Sequence, residues 1–337
     1  MSIPKKFYNL ADDIIFHVEN SDTEIIQNRY PIKDLPKLKH HARDKRNMKY
    51  GNNLYVRGCL DFSNNCEKSC SFCGLSKSNI GLVRYTLQAD EMIQCIDEIM
   101  NLGIKNLHLV GGEINRDWTF LFDTVSYAHS KGIETTIVAG ELDVNLYDEL
   151  KARGATRYIL KFETSNPRLY TKHKSGKELC ERVAHLLQLR EMGYKIGTGN
   201  IVGLPETTIN DFYRDLLLID CLRPDMASTS TFVSNPQAAL SCYPDGDIAQ
   251  TCLFTSMIRL VSEDYNPMIS SASSFGREAQ IQTIFSGANV ISCHITPQEY
   301  VPYFVSHMEN NKNKMKFDSL KKLCESINMK IADYVFE

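Results

Sequence analysis

The 337-residue chain has no unbroken apolar run near the roughly 18 residues that a membrane-spanning helix needs, and its mean hydropathy is −0.28. The opening MSIPKKFYNLADD has no apolar core of the kind a secretory signal carries, so a cytoplasmic location is expected. An excess of one charge is also missing. Thirty-eight Lys and Arg stand against 41 Asp and Glu, a formal net charge of −3, so no overall basic field is present to hold a phosphate backbone. A nucleic-acid partner is not expected. Low-complexity stretches, fixed-period repeats and Pro/Gly/Ser-rich linkers are absent, which leaves one domain with appendages. Cysteine is not scarce, with eleven in the chain. Disulfide-stapled folds are mostly small and secreted, so clustered cysteines in a chain this long point instead to a metal or an iron–sulfur cluster.

Residues 1–50 read as a helical extension ending in the basic run Lys37 to Lys49, most simply a solvated helix face. Residues 51–305 alternate short apolar runs with longer amphipathic segments. Strands are expected at 53–62, 106–112, 133–140, 156–163, 194–203, 225–232, 266–272 and 287–295. Helices are expected at 89–103, 118–132, 146–154, 178–193, 210–222, 247–263 and 277–287, several followed by a glycine C-cap. Eight strands alternating with helices predict a (β/α)8 TIM-type barrel, with function at the carboxyl ends of the strands. Residues 306–337 are expected to be a C-terminal helical segment packed on the barrel.

Directly after the first strand comes Cys66-Glu-Lys-Ser-Cys70-Ser-Phe-Cys73-Gly. Structural zinc wants four closed protein ligands, and the next cysteine, Cys95, lies on a helix with no histidine at finger spacing. Three thiolates suit a [4Fe–4S] cubane that keeps one iron open to a small-molecule chelate. The other eight cysteines read mostly as packing residues: Cys95, Cys180, Cys221, Cys252 and Cys324 on helices, with Cys59 and Cys293 on strands and Cys242 between elements.

The triplet, with Phe72 before its third cysteine, resembles the signature of the radical SAM superfamily. The resemblance implies that the open iron chelates S-adenosylmethionine (SAM), which is cleaved to methionine and a 5′-deoxyadenosyl radical that abstracts hydrogen from a substrate. Gly111-Gly112-Glu113 after the second strand resembles the motif that meets the SAM amino group, although by itself it reads as a turn with a solvated Glu. Gly199-Asn-Ile201-Val-Gly203-Leu-Pro-Glu206 resembles the segment near adenine. Val202 stands where a dinucleotide fingerprint needs glycine, so nicotinamide binding is not expected. Glu163 at the end of strand four and Arg182 on the next helix resemble a further SAM-binding pair in the subgroup of biotin synthase, the hydrogenase maturase HydE and the methylornithine synthase PylB. A guanidinium fork suits a carboxylate. The similarity runs from about residue 50 to 305.

Departures from the subgroup narrow the reading. Cysteines that hold the second cluster of biotin synthase fall on His108, Thr136 and Gly197, which argues against sulfur insertion. PylB-like proteins place an acid after Gly-Glu and an arginine on strand six where this chain has Ile114 and Ser228, and HydE-like proteins also keep Asp at the first position. Candidate substrate contacts are Ser228, Ser230, Ser271 and Ser273, whose hydroxyls suit weakly charged groups, with Lys161, His108 and His294 on strands. Each also has a bland reading, as a backbone-bonded serine, a paired lysine or a core histidine. The expected protein is an enzyme that rearranges or cleaves a small polar metabolite, with electrons from a flavodoxin or ferredoxin docking by Lys68, Lys77 and Arg84. Alternatives are a sulfur-inserting enzyme and a non-catalytic iron–sulfur, SAM-binding or zinc-bound accessory protein.

Overall fold

The computed structural model describes residues 2–114, 118–272, 275–305 and 316–332. Three helices lead the chain: α1 (Lys5–Asn20), α2 (Thr23–Arg29) and α3 (Leu35–Tyr50). There follow β1 (Asn53–Ser63), α4 (Ala89–Asn101), β2 (Asn106–Gly111), α5 (Thr119–Ser130), β3 (Glu134–Val138), α6 (Val144–Ala152), β4 (Ala155–Ile159), α7 (Pro167–His173) and α8 (Leu179–Glu191). Next come β5 (Lys195–Thr198), β6 (Ile201–Val202), α9 (Ile209–Leu222), β7 (Met226–Ser228), β8 (Ser230–Thr231), α10 (Ile248–Val261), β9 (Met268–Ser270), α11 (Gly276–Phe285) and β10 (Val290–His294). The last elements are α12 (Phe317–Ser326) and β11 (Lys330–Ala332).

Strands β1, β2, β3, β4, β5, β7, β9 and β10 pair in parallel, and β10 pairs back onto β1 to close an eight-stranded barrel. The predicted (β/α)8 architecture is the one observed. Beyond β5 and β7, the short parallel pair β6 and β8 continues their rise. The expected helix at 306–337 is joined by a strand: β11 pairs in parallel with β1 at Asn53–Tyr55 and adds a ninth strand outside the barrel.

Alternation along each strand sorts side chains between the helix layer and the lumen. On β2, Leu107 and Leu109 enter the main hydrophobic core, while Val110 faces the cavity at the barrel mouth. The lower lumen is filled by Ile159, Met226, Met268 and Val290, a separate apolar cluster against Tyr50, Tyr55 and Val138. This floor limits how deep a ligand can reach.

The basic run on α3 is not wholly a solvated face. Arg46 is 2% exposed and donates to the carbonyls of Ile284 (2.7 Å) and Ala288 (3.3 Å), at and beyond the last turn of α11. A helix leaves its final carbonyls without intrahelical donors, and this guanidinium supplies one from α3.

Candidate active site

The long segment between β1 and α4 carries Cys66, Cys70 and Cys73 and is fastened on three sides. Arg84 donates to the carbonyls of Asn64 (2.7 Å), Leu75 (2.8 Å), Ser76 (2.7 Å) and Asn79 (3.2 Å). On the second side, the Ser71 amide donates to the His173 carbonyl (3.0 Å), the Ser71 hydroxyl bonds His173 Nδ1 (2.8 Å), and the Ser69 amide donates to Ser175 Oγ (2.9 Å). The third is the end of β2, where the Glu67 amide donates to the Glu113 carbonyl at 2.8 Å. There a Cβ on Gly112 would lie 2.1 Å from the Asn65 carbonyl oxygen and 2.7 Å from Cys66 Cβ. Only glycine lets the strand end and the cysteine segment approach this closely.

All three cysteines line one cavity of about 290 Å³ at the carboxyl ends of the strands, with Phe72, Gly111, Gly112, Glu113, Lys161, Glu163, Arg182, Ile201 and Ser230 also on its wall. Burial pushes the Cys73 thiol up to about 12 and raises that of Cys70, which Lys174 partly counters. Among the described residues, no fourth thiol and no imidazole lines this cavity. The donor set fits a cubane with one iron left open.

Beside the thiols lies a buried ion network. Glu113 meets Lys174 (3.4 Å), Arg182 (3.2 Å) and Lys68 (4.0 Å). Burial pushes its carboxyl up, but Lys174, Arg182 and Lys68 outweigh it and hold the group at about 2. Arg182, 1% exposed, also contacts Glu141 (3.0 Å) and donates to Tyr170 Oη (3.0 Å). Lys161 sits 3.0 Å from Glu163 and donates to Ser230 Oγ at 3.3 Å, so it is a paired lysine at the cavity wall. Burial also opposes ionisation of Glu163, yet Lys161 and Lys174 lower it. Glu163 holds φ at 62°, a left-handed conformation fixed because its amide donates to the Gly199 carbonyl (3.0 Å) and its carbonyl accepts from the Ile201 amide (2.8 Å). Gly199 is needed there, since a Cβ would lie 1.7 Å from the Ser228 carbonyl oxygen. The opposite wall is apolar: Phe72 packs on Ile201, Leu204, Phe232 and Leu240.

Several expected residues lie elsewhere. Glu206 is exposed, pairs with Lys172 and with Arg168 (4.0 Å), and does not line the cavity, and neither does Gly203, which approaches Gly246. Ser271 turns to the helix layer and accepts from Gln280 (3.3 Å); its strand neighbour Ser270 is the lumenal serine, accepting from Arg57 (2.8 Å). Ser273 lies outside the described residues. Ser228 reaches the lower lumen with Arg57 and Met226. His108 is 3% exposed and is kept neutral by burial and by Arg57 and Arg157. His294 lies beside Cys59 and Asp61, whereas Cys293 is buried in the main core. Of the three cations expected at a docking face, Lys68 lines the cavity and Arg84 is committed to backbone, leaving Lys77 exposed.

Sequence reasoning missed Lys174 and Glu141. Lys174 follows α7, whose start was legible: Asn166 caps it by accepting from the Leu169 amide (3.1 Å), and Pro167 opens it. Gly140-Glu141 repeats at the end of β3 the Gly-Glu pattern that Gly112-Glu113 shows at the end of β2.

The fold and the site together define a class. The sequence model of the radical SAM superfamily matches residues 60–219, and the chain belongs to that superfamily. It is 33% identical over 266 residues to the [FeFe] hydrogenase maturase subunit HydE of Thermotoga maritima, covering 76% of this chain and 75% of HydE. Over 281 residues it is 22% identical to the 3-methylornithine synthase of Methanosarcina acetivorans, 82% of this chain and 79% of that protein. The crystal structure of methylornithine synthase (PylB) superposes with a TM-score of 0.80 at 22% identity, over 96% of this chain and 97% of that one. This is therefore a radical SAM enzyme of maturation or biosynthesis, and its cofactors are a [4Fe–4S] cluster and SAM. Among the described residues, no helix is long and apolar enough to cross a membrane.

Proposed function

We propose that Cys66, Cys70 and Cys73 hold the cluster, that the ion network holds the amino-acid end of SAM, and that the apolar wall takes its adenine. The observation that carries this reading is that three thiols, a buried acid–base network and an aromatic wall open onto one cavity. When bound, the cluster supplies the electron that breaks a carbon–sulfur bond of SAM. The Arg182 fork, held from behind by Glu141 and Tyr170, offers parallel hydrogen bonds to a carboxylate, while Glu113 and Glu163 accept from an ammonium. Phe72, Ile201 and Phe232 present faces on which a planar base packs.

The substrate in this reading is a small polar metabolite in the lumen below. Lys161 and Ser230 would meet its polar groups, and the floor of Ile159, Met226, Met268 and Val290 keeps the reacting end short of water. Hydrogen abstraction leads to rearrangement or bond cleavage rather than sulfur insertion, since His108, Thr136 and Gly197 put no thiol where a sulfur-donating cluster would need several. A flavodoxin or ferredoxin docks at the cysteine segment, where Lys77 is exposed beside the exposed apolar side chains of Ile80 and Val83. Anaerobic reconstitution should give about four irons per chain. With dithionite, the protein should turn SAM into methionine and 5′-deoxyadenosine; no cleavage from a fully loaded cluster would refute the reading.

A further inference from the structure

We propose that the lumen wall formed by β10, β1 and β2 carries a mononuclear transition-metal site, with Cys59, Asp61 and His294 as ligands and an open position toward the substrate. The site is separate from the cluster cysteines. One ligand atom from each of these residues lies within 4.8 Å of the other two. They converge because Cys59 and His294 are register partners on adjacent strands, and Asp61 stands two residues further along the same face of β1.

Chemistry favours a borderline dication such as zinc(II) or iron(II). A thiolate and a carboxylate together neutralise two positive charges, a neutral imidazole completes a mixed S/O/N set, and three protein ligands leave a fourth position open. Magnesium and calcium prefer oxygen ligands throughout and are disfavoured by the thiol. The strand is fixed at the carboxylate: the Asp61 amide donates to Thr296 Oγ1 (2.9 Å) and its carbonyl accepts from Tyr85 Oη (2.9 Å). Such anchoring presets ligand geometry.

A second observation points to a ligand in the same space. His108, the register partner of Cys59 on the other side, is 3% exposed, and its Nε2 is buried without a hydrogen-bond partner. Thr136, the partner of His108 on β3, has a buried hydroxyl in the same condition. Buried polar atoms are seldom left unpaired, so these two mark where a metal-bound water or a substrate group would be received. Asp61 is also paired in register with Val110, which lines the SAM cavity. The site thus adjoins the wall of that cavity, and, on the proposed function, its open position would take the carboxylate or amine of the substrate.

A second carboxylate and imidazole group, Glu141, Glu181 and His185, is equally compact but is already supplied with cations. Lys177 is 2.7 Å from Glu181 and 3.7 Å from Glu141, and Arg182 is 3.0 Å from Glu141.

The test uses reconstituted holoenzyme with its cluster iron verified at about four per chain. It is incubated with zinc(II), passed over a weak chelator and measured for zinc by elemental analysis. About one zinc per chain is expected, with a zinc-edge absorption spectrum showing one sulfur and several light ligands. Cys59→Ala and His294→Ala should each weaken zinc binding by at least about tenfold while cluster iron stays full, which also reports that they fold. Retention of only trace zinc by the wild-type holoenzyme would overturn the proposal. So would equal retention in both variants, or zinc that appears only as cluster iron is lost. None of these readouts depends on SAM cleavage, so failure here and failure of the proposed function are distinguishable.

Discussion

Two walls of one cavity solve different recognition problems. The wall built from the ends of β2, β3 and β4 with α7 and α8 holds Glu113, Glu141, Glu163, Lys174 and Arg182, all largely buried and in ionic contact. The wall built from β6, β8 and the cysteine segment holds Phe72, Ile201, Leu204, Phe232 and Leu240, with no charge among them. Buried charges are tolerated only when paired and hydrogen-bonded, so the first wall is a lattice in which each side chain fixes the others. The apolar wall needs only area and shape. On the proposed reading, a ligand with a zwitterionic end and a flat apolar end would thereby be held in one orientation, in the cavity that the thiols also line.

The comparison fails outright if the thiols do not join the walls. Replacing any one of Cys66, Cys70 and Cys73 with Ala should remove the iron–sulfur absorption and drop SAM cleavage to background, because two thiolates leave a cubane open to iron loss. Full iron and activity in Cys73→Ala would separate the triplet from the site.

The ionic wall should next declare itself in acid. Glu113 is held at about 2, below the ordinary carboxylate value of 4.5, so its contribution to stability is present above about 4.5 and is lost as pH falls toward about 2. At most about 3.5 kcal/mol is involved, since one unit corresponds to about 1.4 kcal/mol. Melting curves of Glu113→Gln should therefore be lower than wild type near neutrality and converge with it in that acid window; parallel acid limbs would show that the pairs do not stabilise the fold.

Within ligand binding, the ionic wall should outweigh the apolar one. Arg182→Lys keeps the charge and loses the fork; forfeiting a charge-assisted bond of about 1.5–3 kcal/mol should weaken SAM binding roughly 10- to 150-fold by calorimetry. Phe72→Ala should cost about 0.5–1.5 kcal/mol of aromatic packing, roughly a 2- to 10-fold loss. The reverse order would invert the assignment of the two walls. Smallest of all is Glu206→Ala, which removes only a surface pair with Lys172 and Arg168 and should leave SAM affinity within about twofold.

Much of this was legible because it is local. The alternation that predicts eight strands is a property of neighbouring residues, and each predicted strand segment contains the observed one or overlaps it. The Cys66, Cys70 and Cys73 spacing and the Gly112-Glu113 turn likewise need no distant partner. What failed was the direction in which a side chain points. Ser270 and Ser271 differ only in strand parity, and the lumen took the serine that had not been singled out. Arg84 looked like a surface cation until four carbonyls closed around it, and Glu206 looked like a cavity residue until the turn after β6 carried it outward.

By itself, then, the sequence determined the alternation of strands and helices, the cysteine triplet and the glycines on which its cradle depends, since each follows from side-chain chemistry within a few positions. Only the tertiary structure decided which charges meet. Arg182 lies 69 residues from Glu113 and 41 from Glu141, and Lys174 reaches the same acid from a seven-residue helix. Closure of β10 onto β1 brings His294 beside Cys59 across most of the chain. Ionic and metal-ligand contacts depend on distances of a few ångströms, and those distances are set by barrel closure and strand register rather than by separation along the chain.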